Sequence, residues 1–212
     1  MTTYSVKEMF YTLQGEGANT GRAAVFCRFS GCNLWNGLEK DREISVCTFC
    51  DTDFIGINGD GGGKFKSPES LAKEARSHWT GTQSVKPLIV CTGGEPLLQL
   101  DTAIINALHA EGFEIAVETN GTIIAPEGID WICVSPKAGS EIIQTSGQEL
   151  KLVYPQIENT PEQFEALNFE HFYLQPKDDE NQAGNIQATI AYCQSHPQWR
   201  LSLQTHKITG IR

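Results

Sequence analysis

The sequence contains no apolar run long enough to cross a membrane and no low-complexity tract or internal repeat. Its start, MTTYSVKEMFYTLQ, shows neither a basic leader followed by an apolar stretch nor a transit-peptide composition, so a cytoplasmic location is the expectation. Positive charge is scarce: 16 Lys and Arg stand against 26 Asp and Glu, a balance that repels phosphate backbones and argues against nucleic acid as a direct ligand. An even cysteine count is also missing. Seven cysteines in a chain with no secretory signal argue against a disulfide framework and for reduced thiolates used in metal binding or catalysis. No composition break divides the 212 residues, so one domain spanning 1–212 is expected.

What is present is a succession of short runs rich in Val, Ile and Phe between stretches of helical spacing, the pattern of parallel strands buried on both faces in an α/β chain. The expected strands are Ala23–Ser30, Pro87–Cys91, Glu114–Glu118, Trp131–Val134, Glu149–Val153, Phe172–Leu174 and Arg200–Leu203, with Ser5–Leu13 as an extra strand or ribbon. Helices are expected at Pro68–Trp79, Leu100–Ala110, Pro161–Leu167 and Ile186–Ser195, and a loop at Gly59–Gly63. Nearly every apolar run ends in a small polar motif. These are Ser30-Gly31-Cys32, Thr92-Gly93-Gly94-Glu95-Pro96, Glu118-Thr119-Asn120-Gly121, Ser135-Pro136-Lys137, Gln175-Pro176-Lys177 and Gln204-Thr205-His206-Lys207. In a parallel barrel those ends converge on the face where chemistry is built. A full eightfold barrel takes about 250 residues, so a partial, open one is expected.

Cys32, Cys47 and Cys50 are spaced C-x14-C-x2-C, and soft thiolates select zinc or iron–sulfur chemistry over magnesium or calcium. A structural zinc site closes on four ligands, yet the first histidine is His78, well outside this loop. Three sulfurs on a four-iron cluster leave one iron open. Strand alternation puts Val25, Cys27 and Phe29 on a packed outer face and turns Arg28 inward; Cys91, Cys133 and Cys193 sit in apolar patterns and read as core.

Three cysteines in the loop after the first parallel strand, followed by a Gly-Gly-Glu motif at the end of the next, resemble the radical S-adenosylmethionine superfamily, with extra residues inserted between the first two cysteines. Loop closure entropy grows slowly with length, so the insertion is tolerable. Together with Gln14-Gly15-Glu16-Gly17, Cys50-Asp51-Thr52 and the other strand-end motifs, it is similar to the 7-carboxy-7-deazaguanine synthase family. The resemblance implies a reduced, open radical S-adenosylmethionine barrel with an N-terminal extension. It also implies ring contraction of 6-carboxy-5,6,7,8-tetrahydropterin to 7-carboxy-7-deazaguanine with loss of ammonia, started by an adenosyl radical.

Carried over residue by residue, the resemblance assigns the 4Fe-4S cluster to Cys32, Cys47 and Cys50 and a Mg2+ ion to Thr52, whose alternative is a helix cap or turn hydroxyl. S-adenosylmethionine falls to Phe49, Gly94, Glu118, Asn120, Ser135 and Pro136, continuing through Lys137, Gln175, Pro176, Lys177 and Asp178. Asn120-Gly121 also fits a hairpin turn between Ala116–Thr119 and Thr122–Ala125; Pro126, which cuts the second arm short, favours the site. The pterin acid falls to Leu13, Gln14, Gly15 and Glu16, with Arg28 for its carboxylate, and to Thr92, His206 and Arg212. The chain end either folds over the site or frays. A flavodoxin-type electron donor and a homodimer are the expected partners. Two other readings stay open at this point: a short radical-activating enzyme acting on a protein partner, and a non-catalytic zinc-binding protein.

Overall fold

The computed structural model describes residues 3–82 and 84–212. Among the described residues nine strands, β1 (Tyr4–Leu13), β2 (Ala23–Phe29), β3 (Gly63–Phe65), β4 (Leu88–Gly93), β5 (Glu114–Thr119), β6 (Trp131–Val134), β7 (Ser146–Tyr154), β8 (Asn168–Pro176) and β9 (Trp199–Leu201), form one sheet. Its order is β3-β1-β2-β4-β5-β6-β7-β8-β9. From β2 to β9 all neighbours are parallel, whereas β1 lies antiparallel to both β2 and β3. The last strand does not return to the first, so the barrel is open, as expected from the chain length.

The helices are α1 (Pro68–His78), α2 (Thr102–Ala110), α3 (Gln182–Ser195) and the short C-terminal α4 (Thr205–Thr209). α1 starts sharply because Ser67 and Ser70 cap one another across the first turn and Pro68 occupies its first position. α2 is capped by Asp101, which accepts from Ile104 N at 2.9 Å.

Alternation along each strand separates two faces. On the helix-covered face Val25, Cys27, Phe29, Ile89, Cys91, Ile115 and Val117 pack with α1 and α2, through Leu71, Ala75, Ile104 and Leu108. Farther along, Val134, Leu150, Leu152, Leu174 and Trp199 form a second core under α3, which Cys193 joins. The opposite face carries Ala24, Leu88, Val90 and Ala116 at its closed end, packed against Phe26 and Trp131. Polar residues take over towards the strand ends, and this gradient positions the site.

Several expectations need correction. Pro161–Leu167 is no α-helix: only Pro161–Gln163 forms a 3-10 turn, and Phe164 N and Leu167 N bond three residues back to Pro161 O and Phe164 O. The tight turns bury Phe164 under α3 and bring the chain round in time to open β8. β7 and β8 run well beyond the expected Glu149–Val153 and Phe172–Leu174, because they pair continuously from Ser146↔Asn168 to Tyr154↔Pro176. β9 sits one residue earlier and is shorter than Arg200–Leu203. α3 begins at Gln182, about one turn before Ile186, since Asn185 anchors it by donating to Lys177 O and Asp179 Oδ1, each at 2.9 Å. The glycine loop ends at Gly63, which opens edge strand β3 by pairing with Val6. No second hairpin arm follows Asn120. Its side-chain oxygen accepts from Thr122 N and Thr122 Oγ1 at 3.0 and 2.7 Å, closing a local turn instead.

Candidate active site

The C-terminal ends of the parallel strands surround a cavity of about 410 Å³. Its wall gathers most of the residues singled out in the sequence. From the N-terminal ribbon come Leu13, Gln14, Gly15 and Glu16; from β2 and β4 come Arg28 and Thr92, with Gly94 just past β4. Phe49, Cys50 and Thr52 enter from the cysteine loop, and Glu118, Asn120, Ser135 and Lys137 from the ends of β5 and β6. Gln175 and Pro176 end β8, Lys177 and Asp178 follow it, and His206 and Arg212 close the far side. Pro136 stands apart, buried behind the wall, where its carbonyl accepts from Asn159 Nδ2 at 3.2 Å.

Of the three cysteines, Cys50 opens onto the cavity, while Cys47 is buried and Cys32 half-buried behind it. The close pairing of Cys47 and Cys50 lowers the Cys50 thiol and raises that of Cys47. Burial raises Cys32, against the opposing hydrogen bond from Leu34 N at 3.4 Å. Among the described residues no three His, Cys, Asp or Glu side chains close on a single metal-ion position. The donor set fits an iron–sulfur cluster, which spreads its thiolates over different irons. Arg42 braces the loop, donating to Thr48 O and Cys50 O at 3.2 and 3.0 Å while lying 4.1 Å from the Trp35 ring centre. Gly94 lets β4 come close: a Cβ there would collide with Gly31 O and lie 2.7 Å from Cys32 Cβ.

The ends of β4 and β5 are pinned together by Glu95, wholly buried, which accepts from Leu97 N, Thr119 Oγ1 and Asn120 N at 2.9, 2.8 and 2.8 Å. Burial raises its carboxyl, and those three donors resist the rise. Asn120 in turn donates to Asn33 Oδ1 at 3.0 Å, tying β5 to the cysteine loop. The Lys137 ammonium donates to Ser135 O and Oγ at 2.7 and 2.6 Å; burial lowers it, and the nearby Cys47 and Cys50 oppose that shift. Lys177 lies 5.8 Å from the Phe49 ring centre and bonds Asp179 at 3.2 Å.

On the opposite side, Arg28 points inward as alternation requires, but it is not free. Its Nε donates to Glu8 Oε1 at 2.9 Å, and Glu8 Oε2 takes Arg212 at 2.9 Å. Phe10 and Phe26 stack with ring centres 5.6 Å apart, and the Arg212 guanidinium lies 4.7 Å from the Phe10 centre. The chain end is thus strapped down and not frayed. Thr205 N and Oγ1 donate to Gly15 O at 3.0 and 2.9 Å, Lys207 bridges Asp51 and Asp178 at 2.6 and 2.5 Å, and Thr12 Oγ1 donates to Arg212 O at 2.7 Å.

Sequence reasoning missed the cavity's buried cation. Lys151, in the middle of β7, reaches Glu16 Oε2 at 2.7 Å and Glu118 Oε2 at 2.9 Å with its side chain only 4% exposed. Burial would lower its ammonium, but Glu118 and Glu16 outweigh burial and raise it; Lys151 in return overcomes burial to keep the Glu16 carboxyl low. The signal was available: a lone Lys between Leu150 and Leu152 in a strand buried on both faces must point at something that pays for its charge. Glu8, Phe10 and Phe26 were also overlooked, hidden within ordinary strand patterns.

Residues 44–166 match the radical SAM superfamily, a stretch that takes in Cys47, Cys50 and the Gly-Gly-Glu motif but starts beyond Cys32, inside the insertion. The chain is 65% identical to 7-carboxy-7-deazaguanine synthase of Caulobacter vibrioides, with 99% of each chain covered. It is 40% identical to the synthase of Bacteroides thetaiotaomicron, with 98% of each covered. The crystal structure of QueE from Escherichia coli superposes with a TM-score of 0.72 at 27% identity, covering 95% of this chain and 93% of that one. With the open sheet and the cysteine loop at the strand ends, these likenesses place the chain in the 7-carboxy-7-deazaguanine synthase family of the radical SAM superfamily.

Proposed function

We propose that this chain, as one radical S-adenosylmethionine domain over 1–212, converts 6-carboxy-5,6,7,8-tetrahydropterin to 7-carboxy-7-deazaguanine and ammonia. The observation that carries the reading is that one cavity joins a cysteine loop and cofactor-side strand ends to a second half bearing Arg28, Gln14 and Glu16. When bound, the cluster and S-adenosylmethionine supply the radical that starts the ring contraction. Cys32, Cys47 and Cys50 hold the cluster. The main chain at Gly94 meets the methionine end, Glu118 accepts from ribose hydroxyls, and Phe49, Ser135 and Lys137 border the nucleoside with Gln175, Lys177 and Asp178.

The second half suits a planar, acidic heterocycle. Arg28, steadied through Nε by Glu8, offers the outer edge of its fork to the pterin carboxylate. Glu16 and the backbone of Leu13–Gly15 take the donor edge of the ring, with Thr92, His206 and Arg212 bordering it. Phe10 and Phe26 form a flat wall. Thr52, at the mouth of the cluster loop, would hold a Mg2+ ion, which would help neutralise the substrate carboxylate. Seven free thiols support a reducing, cytoplasmic setting. A flavodoxin-type donor and a homodimer complete the proposal, the latter on the general frequency of two-fold assemblies.

The test is anaerobic incubation with the pterin acid, S-adenosylmethionine, magnesium and reductant, followed by mass spectrometry. The expected product is the deazaguanine acid, one ammonia per turnover. Zinc in place of iron and sulfide, or cofactor cleavage with the pterin acid recovered intact, would sink the reading.

A further inference from the structure

Lys151 stands where the two halves of the cavity meet. Its ammonium contacts Glu16, on the pterin side, and Glu118, on the cofactor side, at 2.7 and 2.9 Å. Gln14 reinforces the join, donating from Nε2 to Glu118 Oε1 at 3.1 Å while its Oε1 accepts from Gly15 N and Glu16 N at 2.8 and 3.3 Å. Gln204 Nε2 holds the other oxygen of Glu16 at 3.1 Å. Glu149, two residues back on the same face of β7, is buried too; its Oε2 accepts from Ala18 N at 3.1 Å, and burial raises its carboxyl. No hydrogen bond or ion pair joins it to Lys151, whose contacts are to Glu16 and Glu118. Without the ammonium, Glu16 and Glu118 would face one another with their charges uncompensated, each held by a single glutamine donor.

We propose that Lys151 is a positioning residue that ties the cofactor half of the cavity to the pterin half, so that filling one tightens binding in the other. The inference rests on the assignment of Glu16 to the pterin and Glu118 to the ribose made above. A ligand on Glu118 expels water from the shared gap and orders the ammonium, which strengthens its hold on Glu16; the second ligand then meets a carboxylate already in place. Linkage makes the effect reciprocal.

The experiment titrates 6-carboxypterin, the oxidised and unreactive form of the substrate, into cluster-loaded protein under anaerobic conditions without reductant, in the absence and presence of S-adenosylmethionine. Wild type is expected to bind the pterin about tenfold more tightly with the cofactor present. In Lys151→Met that ratio falls to about one and each ligand alone binds more weakly, whereas Lys151→Arg, which keeps charge and reach, recovers several-fold coupling. Should Lys151→Met not fold, judged by circular dichroism, Glu118→Gln carries the test: cutting one arm of the bridge must also bring the ratio to about one. A wild-type ratio at or below one, or an unchanged ratio in Lys151→Met or Glu118→Gln, overturns the proposal. Failure of wild type to bind 6-carboxypterin at all brings down the pterin assignment and the coupling with it, while binding without coupling sinks the coupling alone.

Discussion

At the scale of single residues, what separates a cysteine proposed as a cluster ligand from a packing one is the face of the strand or loop that carries it. Cys27 has no exposed surface and sits between Val25 and Phe29 in the core under α1, while Cys47 lies three residues before Cys50 in the loop facing the cavity. Cys47→Ser is expected to abolish bound iron and sulfide. Cys27→Ser should keep both and lose about 1–3 kcal/mol of stability for the hydroxyl it buries. Iron and sulfide analysis of anaerobically purified variants decides the matter, and a cluster-free Cys27 variant would refute the ligand set. The cysteine spacing and the inward turn of Arg28 were legible because period-two alternation needs no partner. The Glu8 bond to Arg28 was not, because it depends on the antiparallel register that sets Glu8 opposite Arg28.

Elements meet the site through close backbone approaches and a few clamps. β4 can pass beside the cysteine loop only because Gly94 has no side chain, so Gly94→Ala should displace Gly31 and Cys32 and cost about 1–3 kcal/mol. Its cluster content is expected to fall well below wild type, and full iron occupancy with an unchanged melting point would contradict the packing. A second clamp holds the β1–β2 turn to β5: Arg22 donates from both terminal nitrogens to the Glu114 carboxylate at 2.9 and 2.8 Å. Those hydrogen bonds lower Glu114 below its usual 4.5. A lowered carboxylate stabilises the fold above the unfolded value and loses that contribution as pH falls through the folded one. Wild type should therefore melt about 2 °C above Glu114→Gln near neutrality, with the gap closing below about pH 4.5. A gap that widens on acidification would contradict the assignment. The helix at Pro161–Leu167 was misread because its apolar spacing fits a helix, while the turns to β8 demand bonds three residues apart.

Across the whole molecule, the chain end closes the cavity by binding to segments far away in sequence. Lys207 joins the cysteine loop to the segment after β8, and Arg212 joins Glu8 to Asp60. Burial would lower the Lys207 ammonium, but Asp178 and Asp51 outweigh it, so the bridge stays charged. Removing residues 205–212 is expected to leave cluster content intact and S-adenosylmethionine affinity within a few-fold. Affinity for 6-carboxypterin should drop by about 30-fold or more, near 2 kcal/mol. Titration of both ligands checks this, and equal loss of the two would mean the strap supports the entire cavity instead of its pterin half.

The sequence by itself determined the α/β class, the open parallel barrel, the cysteine triad and the polar motifs at successive strand ends. Each of these is written in local spacing: alternation, short apolar runs, and cysteines gathered into one loop. Only the tertiary structure decided which of those motifs share a wall, that Pro136 stands behind it, that Glu95 pins two strand ends, and that Lys151 bridges Glu16 and Glu118. The reason is physical. A buried charge is stable only beside partners brought from distant strands, and register and strand order, which exist only in the folded chain, choose those partners.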